Sequence, residues 1–200
     1  MCIRDSRYPV GACQFVETNH LQGRLYNSYE FGGYIEWALG AALPVLMDGR
    51  YIFHRMLAEH RSLNDRLYDD PSDRMWTSYI DHENFEMAIT NYGDFEIPWD
   101  PLKSSTPLSL MEVKFPSEMW ALVYWDDTAL LYLKRLPQYN KVIEEYEYRA
   151  LLPANIKRME MMLASKALSL SQVKAELARH EKQVGPSYMA RLMDSVLNGK

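Results

Sequence analysis

WALVYWDDTALLYLKRL, residues 120–136, decides how this chain folds. Two apolar, aromatic-rich runs, 120–125 and 129–133, flank Asp126, Asp127 and Thr128. Two such runs separated by a short polar triplet read as a β-hairpin with a polar turn.

Upstream of the hairpin, short strand-like runs alternate with helical ones. The stretch 24–29, RLYNSY, has strand composition; 44–48, PVLMD, is a short apolar run of the kind found in buried strands; 85–93, FEMAITNYG, alternates Phe85, Met87 and Ile89. Helical spacing marks 9–19, 31–43, 52–63 and 75–85, with a broken helix over 109–119. The three prolines of 95–107 make that stretch a loop. Helices alternating with short strands predict an α/β fold: a mostly parallel sheet with flanking helices, ending in the antiparallel hairpin.

After Pro137 the composition turns to Glu, Lys, Met, Leu and Ala. Helices are expected over 142–152, 155–168, 171–184 and 187–197. Ser169-x-x-Gln172 has the form of a capping box, Pro186 suits a first helical turn and Gly199 a stop. The chain therefore divides near 137–153 into an α/β part, 7–137, and an α-helical extension, 138–200.

The bulk numbers exclude several classes. A chain of 200 residues, 48% hydrophobic and 24% charged, can form a packed core. A net charge of −5 argues against a nucleic-acid partner, which calls for a basic face. Two cysteines in no metal spacing exclude a disulfide framework or a zinc knuckle. The most apolar stretch, Trp37 to Met47, is broken by Pro44 and falls short of the roughly 20 residues a membrane helix needs. No phosphate-loop, dinucleotide, H-E-x-x-H, G-x-S-x-G or calcium-loop pattern occurs. His54 and His60 would not share a helical face, and His82 lies in a polar turn. No metal and no cofactor is expected.

In open α/β sheets ligands bind beyond the carboxyl ends of the strands. That places candidate binding residues at Asn27, Tyr29, Gly32, Gly33, Asp48, Arg50 and Asp126, with free N–H groups near Gly32 and Gly33 suited to an anion. The competing reading is a structural network: Asp48 and Asp126 capping turns, Arg50 pairing with a carboxylate, and the glycines allowing close packing. Trp99 is read as a lid over the core, and Met159, Met161, Met162 and Met193 as filling between helices.

The blocks Pro9-x-x-Ala12, GRLYNSYEFGGYIEWAL (23–39), PVLMDGR (44–50) and WALVYWDDTALLYLKR (120–135) occur in one order. This order resembles the C-terminal extracytoplasmic part of bacterial multi-pass membrane proteins related to the lipid-linked-sugar glycosyltransferases of the mannosyl- and arabinosyltransferase kind. The matched positions are Gly23, Arg24, Asn27, Tyr29, Gly32, Gly33, Tyr34, Trp37, Asp48, Arg50, Trp120, Val123, Tyr124 and Asp126. The resemblance spans residues 8–150 and implies a domain facing the periplasm or cell exterior from the inner membrane. It implies that the domain docks on its own membrane part or holds a lipid-linked sugar or glycan, with the chemistry done elsewhere. The membrane helices of that family are missing here, so no catalytic residue carries over. A glycan- or anion-binding module is the second reading, and a stand-alone α/β enzyme the third.

Residues 1–5, MCIRD, match the in-frame translation of ATGTGTATAAGAGACAG, whose last two bases begin the codon of Ser6; that DNA resembles a transposon end used as a sequencing adapter. Residues 1–6 are expected to be foreign to the protein, which leaves Cys13 as the native cysteine and makes the chain a piece of a longer one.

Overall fold

A computed structural model describes residues 7–40, 43–48, 54–92 and 108–198. The described elements are α1 (Val10–Thr18), β1 (Leu25–Asn27), a 3-10 turn (Tyr29–Phe31), α2 (Gly32–Leu39), α3 (His54–Asp69), α4 (Met75–His82), β2 (Met87–Thr90), α5 (Leu110–Lys114), β3 (Trp120–Trp125), β4 (Leu130–Lys134), a second 3-10 turn (Pro137–Tyr139), α6 (Asn140–Tyr146), α7 (Ile156–Ala164), α8 (Leu170–Gln183) and α9 (Tyr188–Leu197). The predicted loop at 95–107 and its Trp99 lie outside the described residues.

The hairpin forms where the sequence places it. Asp126 closes its turn: the carboxylate accepts the N–H groups of Thr128 at 2.7 Å and Ala129 at 2.8 Å. The backbone N–H of Asp126 donates to Ala129 O at 3.0 Å. An Asp holding its own turn in this way is common hairpin chemistry.

Among the described residues the strands form one sheet in the order β1-β2-β4-β3. Only β1 and β2 are parallel, with Leu25 opposite Met87 and Asn27 opposite Ile89. The pairs β2–β4 and β4–β3 are antiparallel. The sheet is therefore mixed, and the expectation of a mostly parallel one is corrected. The reason lies at 44–48, which buries Leu46, Met47 and Asp48 but forms no strand. The Asn27 side chain holds it instead: Leu46 N–H donates to Asn27 Oδ1 at 2.8 Å, and Asn27 Nδ2 donates to Met47 O at 2.8 Å. One side-chain amide thus takes the place of a ladder.

Both faces of the sheet are covered, so its strands are apolar at nearly every position. One face carries Ala12, Cys13 and Val16 of α1, Ile35 of α2 and Ile143 of α6. The other carries residues of α3, α4 and α5 and, in the same cluster, Met159, Val173, Leu177, Ala190 and Met193 of α7, α8 and α9. A β-bulge adjusts β3 to this arrangement. Leu122 faces Tyr132 but the next pair is Tyr124 with Leu131, so Val123 and Tyr124 share one partner. Both then point to the α1 face, and Trp125 returns to the other.

The helical extension is fastened through polar groups as well as core. Arg179 of α8 donates to the carbonyls of Glu145, Tyr146 and Glu147 at 3.0, 3.1 and 2.7 Å, capping the C-terminus of α6. Glu176 accepts the N–H groups of Arg149, Ala150 and Leu151 at 3.0, 3.0 and 2.9 Å. Asp127, in the hairpin turn, accepts the first N–H groups of α9, from Tyr188 and Met189, both at 2.8 Å. The Ser187 hydroxyl caps the same helix, so Pro186 precedes the cap and does not open the helix. The expected box at Ser169 does not form; Ser109 and Glu112 make one at α5. Substituting Glu176→Ala removes the acceptor of three backbone N–H groups. The urea midpoint is expected to fall with the m-value unchanged, a loss of about 2–3 kcal/mol, while Glu176→Gln loses less.

Candidate functional site

Of the seven residues placed at strand ends, the six that are described do not meet at one site. Asn27 is fully buried and its amide is committed to Ser28 O, Leu46 N–H and Met47 O. Tyr29 is half-buried against the core. Gly32 meets the 46–48 segment so closely that a Cβ would lie 1.9 Å from Met47 O, the packing role a glycine serves best. Its N–H donates to Tyr29 O, so the preceding turn already satisfies what an anion was expected to meet. Gly33 is exposed, with open space where a Cβ would be. Asp48 is buried beside Gly32. Arg50 lies outside the described residues. Asp126 follows β3, on the far edge of the sheet from β1; three strand spacings of about 4.8 Å separate those edges, roughly 14 Å. Asn27, Gly32 and Asp48 are brought together as a structural joint, and Asp126 is a turn cap.

A cleft opens at the other end of β3. A cavity of about 540 Å³ sits between the sheet, α5, α7 and the 147–155 segment, within the size range of ligand pockets. Aromatic and aliphatic groups line it, including Phe115, Trp120, Tyr132 and Leu151. Phe115 stacks on Tyr132 with centroids 4.8 Å apart and meets Trp120 edge-on at 5.2 Å. Two charge clusters stand at its rim. Glu112 accepts from Ser109 N–H at 2.9 Å, Asn155 Nδ2 at 2.6 Å and Arg158. Glu147, almost wholly buried, accepts from Arg135 and, at 2.6 Å, from Arg149 Nε. Arg135 also donates to Ser117 O at 2.9 Å. Glu112, partly buried, and Glu147, buried, thus fix three guanidinium groups in orientation while leaving other N–H donors of each group outside these contacts. Glu118 adds an exposed carboxylate at the mouth.

A second group sits deeper on the same face. Lys114 is buried, its Nζ 4.4 Å from the Trp76 ring centroid and 5.8 Å from that of Tyr26. Burial lowers its pKa from 10.5 to about 7, and the aromatic faces offset part of that cost. His60 shares a hydrogen bond with the Tyr26 hydroxyl, and burial, then Lys114, lowers its pKa to about 3. Burial raises Tyr26 well above its ordinary value. One turn along α3, Asn64 Oδ1 is buried with no hydrogen-bond partner among the described residues.

None of these residues was singled out by motif. The cleft's charges come from positions 112, 118, 135, 147, 149 and 158, which share no spacing. Two signals were present: Ser109-x-x-Glu112, a capping box whose Glu serves both the helix and the rim, and Lys114 three residues after Met111, on the apolar face of its helix.

The chain matches no family model, no curated protein and no solved structure. Among the described residues no group of three or more His, Cys, Asp or Glu could hold a metal ion, and no helix is long and apolar enough to cross a membrane.

The buried bases make stability depend on pH in two windows. Lys114 is neutral in the folded chain and charged in the unfolded one between about pH 7 and 10.5. The burial penalty is complete below pH 7 and fades as pH rises, so stability increases across that window. Lys114→Met is expected to stabilise the fold at pH 7 by a few kcal/mol, because a tenfold change in proton affinity is worth about 1.4 kcal/mol. Urea titrations of the variant should also give a flatter stability profile from pH 7 to 9.5. His60 and His180 are held neutral to about pH 3 and 4. The stability of their neutral forms is complete above 6.5 and is lost as pH falls toward those values. Acid unfolding followed by circular dichroism should therefore begin below pH 6.5, and His180→Phe should move its onset to lower pH.

Proposed function

We propose that this domain holds a ligand, in the cleft between the sheet and α7, for a larger membrane-bound protein of glycosyltransferase type. The observation that carries the reading is an apolar, aromatic-floored cavity of about 540 Å³ with Arg135, Arg149 and Arg158 fixed at its rim. An apolar floor with oriented guanidinium groups suits an amphipathic anion. The floor takes a hydrocarbon body, and the guanidinium N–H groups take a phosphate or carboxylate head. The lipid-linked sugar implied by the resemblance in the sequence is a ligand of this class. The attachment to a membrane part, the periplasmic or exterior setting and the bacterial origin rest on that resemblance.

Calorimetric titration with geranyl monophosphate, inorganic phosphate and geraniol tests the reading. Geranyl monophosphate is expected to bind with saturation, and each of the others at least tenfold more weakly, because each lacks one half of the recognition. Arg149→Gln, at an exposed side chain, should weaken binding about tenfold, or ~1.4 kcal/mol, and Glu118→Gln should strengthen it. Equal binding of geraniol and geranyl monophosphate would exclude a role for the arginines. Sugar transfer or hydrolysis by the isolated chain would overturn the non-catalytic assignment.

A further inference from the structure

A second cavity of about 350 Å³ lies on the opposite face of β3, between α1, α6 and the end of α8. Its chemistry differs from that of the first. Every lining residue is neutral: aromatic walls from Phe15, Tyr124 and Tyr146, and a rim that includes Gln14, Thr18 and Gln183. The walls are fixed. Phe15 packs edge-on against Tyr146 with centroids 5.0 Å apart and tilted against Tyr124 at 5.5 Å. The Tyr124 hydroxyl donates to Asp126 Oδ2 at 2.8 Å. Gly11 lets α1 lie this close to β3, since a Cβ there would come within 1.9 Å of the Tyr124 hydroxyl. The rim is open: Gln14 and Thr18 of α1 and Gln183 of α8 are exposed and line the cavity.

We infer that this cavity binds a neutral sugar ring. A pyranose has an apolar C–H face, which suits fixed aromatic walls, and a girdle of hydroxyls that both donate and accept. Carboxamides and a hydroxyl are the side chains that match such a girdle, since each offers both functions. A charged ligand would lose water without gaining a counter-charge there. The inference stands apart from the ligand proposed for the arginine cleft, although Tyr148 lines both cavities. A ligand carrying an anionic lipid at one end and a sugar at the other would meet one cavity on each side of the edge strand.

Saturation-transfer NMR on the whole chain, with methyl α-glucopyranoside, mannopyranoside and galactopyranoside as probes, tests this directly. At least one is expected to bind with saturation in the millimolar range, and methyl glucuronide at least tenfold more weakly. Tyr146→Ala and Gln183→Ala should each weaken the sugar about tenfold, the size of one lost recognition contact. Gln183 is exposed, so its variant keeps the test decisive if Tyr146→Ala does not fold. The inference fails if no hexoside saturates, if the glucuronide binds equally well, or if Gln183→Ala binds like the parent chain. Geranyl monophosphate is a separate probe of a separate cavity, so the two proposals succeed or fail independently.

Discussion

The structure depends on three side chains of one helix. Glu176, Arg179 and His180 lie on one face of α8, three and four residues apart, and each completes something the rest of the chain leaves open. Arg179 takes the carbonyls at the end of α6, and Glu176 takes three N–H groups of the segment that follows it. The His180 ring lies flat on Trp125, centroids 3.5 Å apart and planes within 4°. Backbone groups buried without partners are rare in native structures because each costs on the order of 1–3 kcal/mol. Without α8, the three carbonyls and three N–H groups it satisfies at residues 145–151 would have to find other partners.

That anchoring explains why both cavities exist. β3 is an edge strand, and an uncovered edge invites unwanted pairing. The segment after α6 runs over it, with Tyr148 N–H donating to Leu122 O at 2.9 Å. Held from behind by Glu176 and Arg179, this segment covers the edge without filling the space on either face. It carries Glu147 and Arg149 to the rim of one cavity and Tyr148 to the walls of both. Rigid support of this kind is what a binding site needs if its donors are to be oriented before the ligand arrives.

How much of this was legible in the sequence follows from the range of each interaction. The hairpin was, because its turn and strands are contiguous and Asp126 caps its own backbone. So were the helices after Pro137, because helix-forming composition is local, although the one expected over 142–152 ends at Tyr146, where the chain turns to cross β3. The strand expected at 44–48 was not, since an apolar run of five residues carries no record of whether a ladder or the amide of Asn27 will satisfy its backbone. The separation of Asp126 from Asn27 was hidden for a related reason. The rule that ligands meet the carboxyl ends of strands assumes a parallel sheet, and here β4 lies between β2 and β3, moving Asp126 to the far edge from Asn27. Beyond the capping box at Ser109 and Glu112, the arginine cleft gave no signal, because its charges meet only once α5, α7 and the 147–155 segment have packed.

The contrast between α8 and Lys114 separates what stabilises the fold from what burdens it. On α8 the Glu176 and Arg179 charges are matched by backbone groups of opposite polarity at 2.7–3.1 Å. Lys114 is buried too but faces aromatic rings, and its amine gives up nearly all its hydration for them. Local rules of stability are broken mainly where a chain has another use for the residue. Met111, Lys114 and Phe115 belong to the same short helix and its exit, and Phe115 forms part of the cleft floor while Trp76 Nε1 donates to Lys114 O at 2.9 Å. Lys114, whose pKa burial lowers to about 7, is therefore the chain neighbour of a residue in the floor of the arginine cleft, and its cost to the fold is set by burial rather than by a missing charge partner in that cleft.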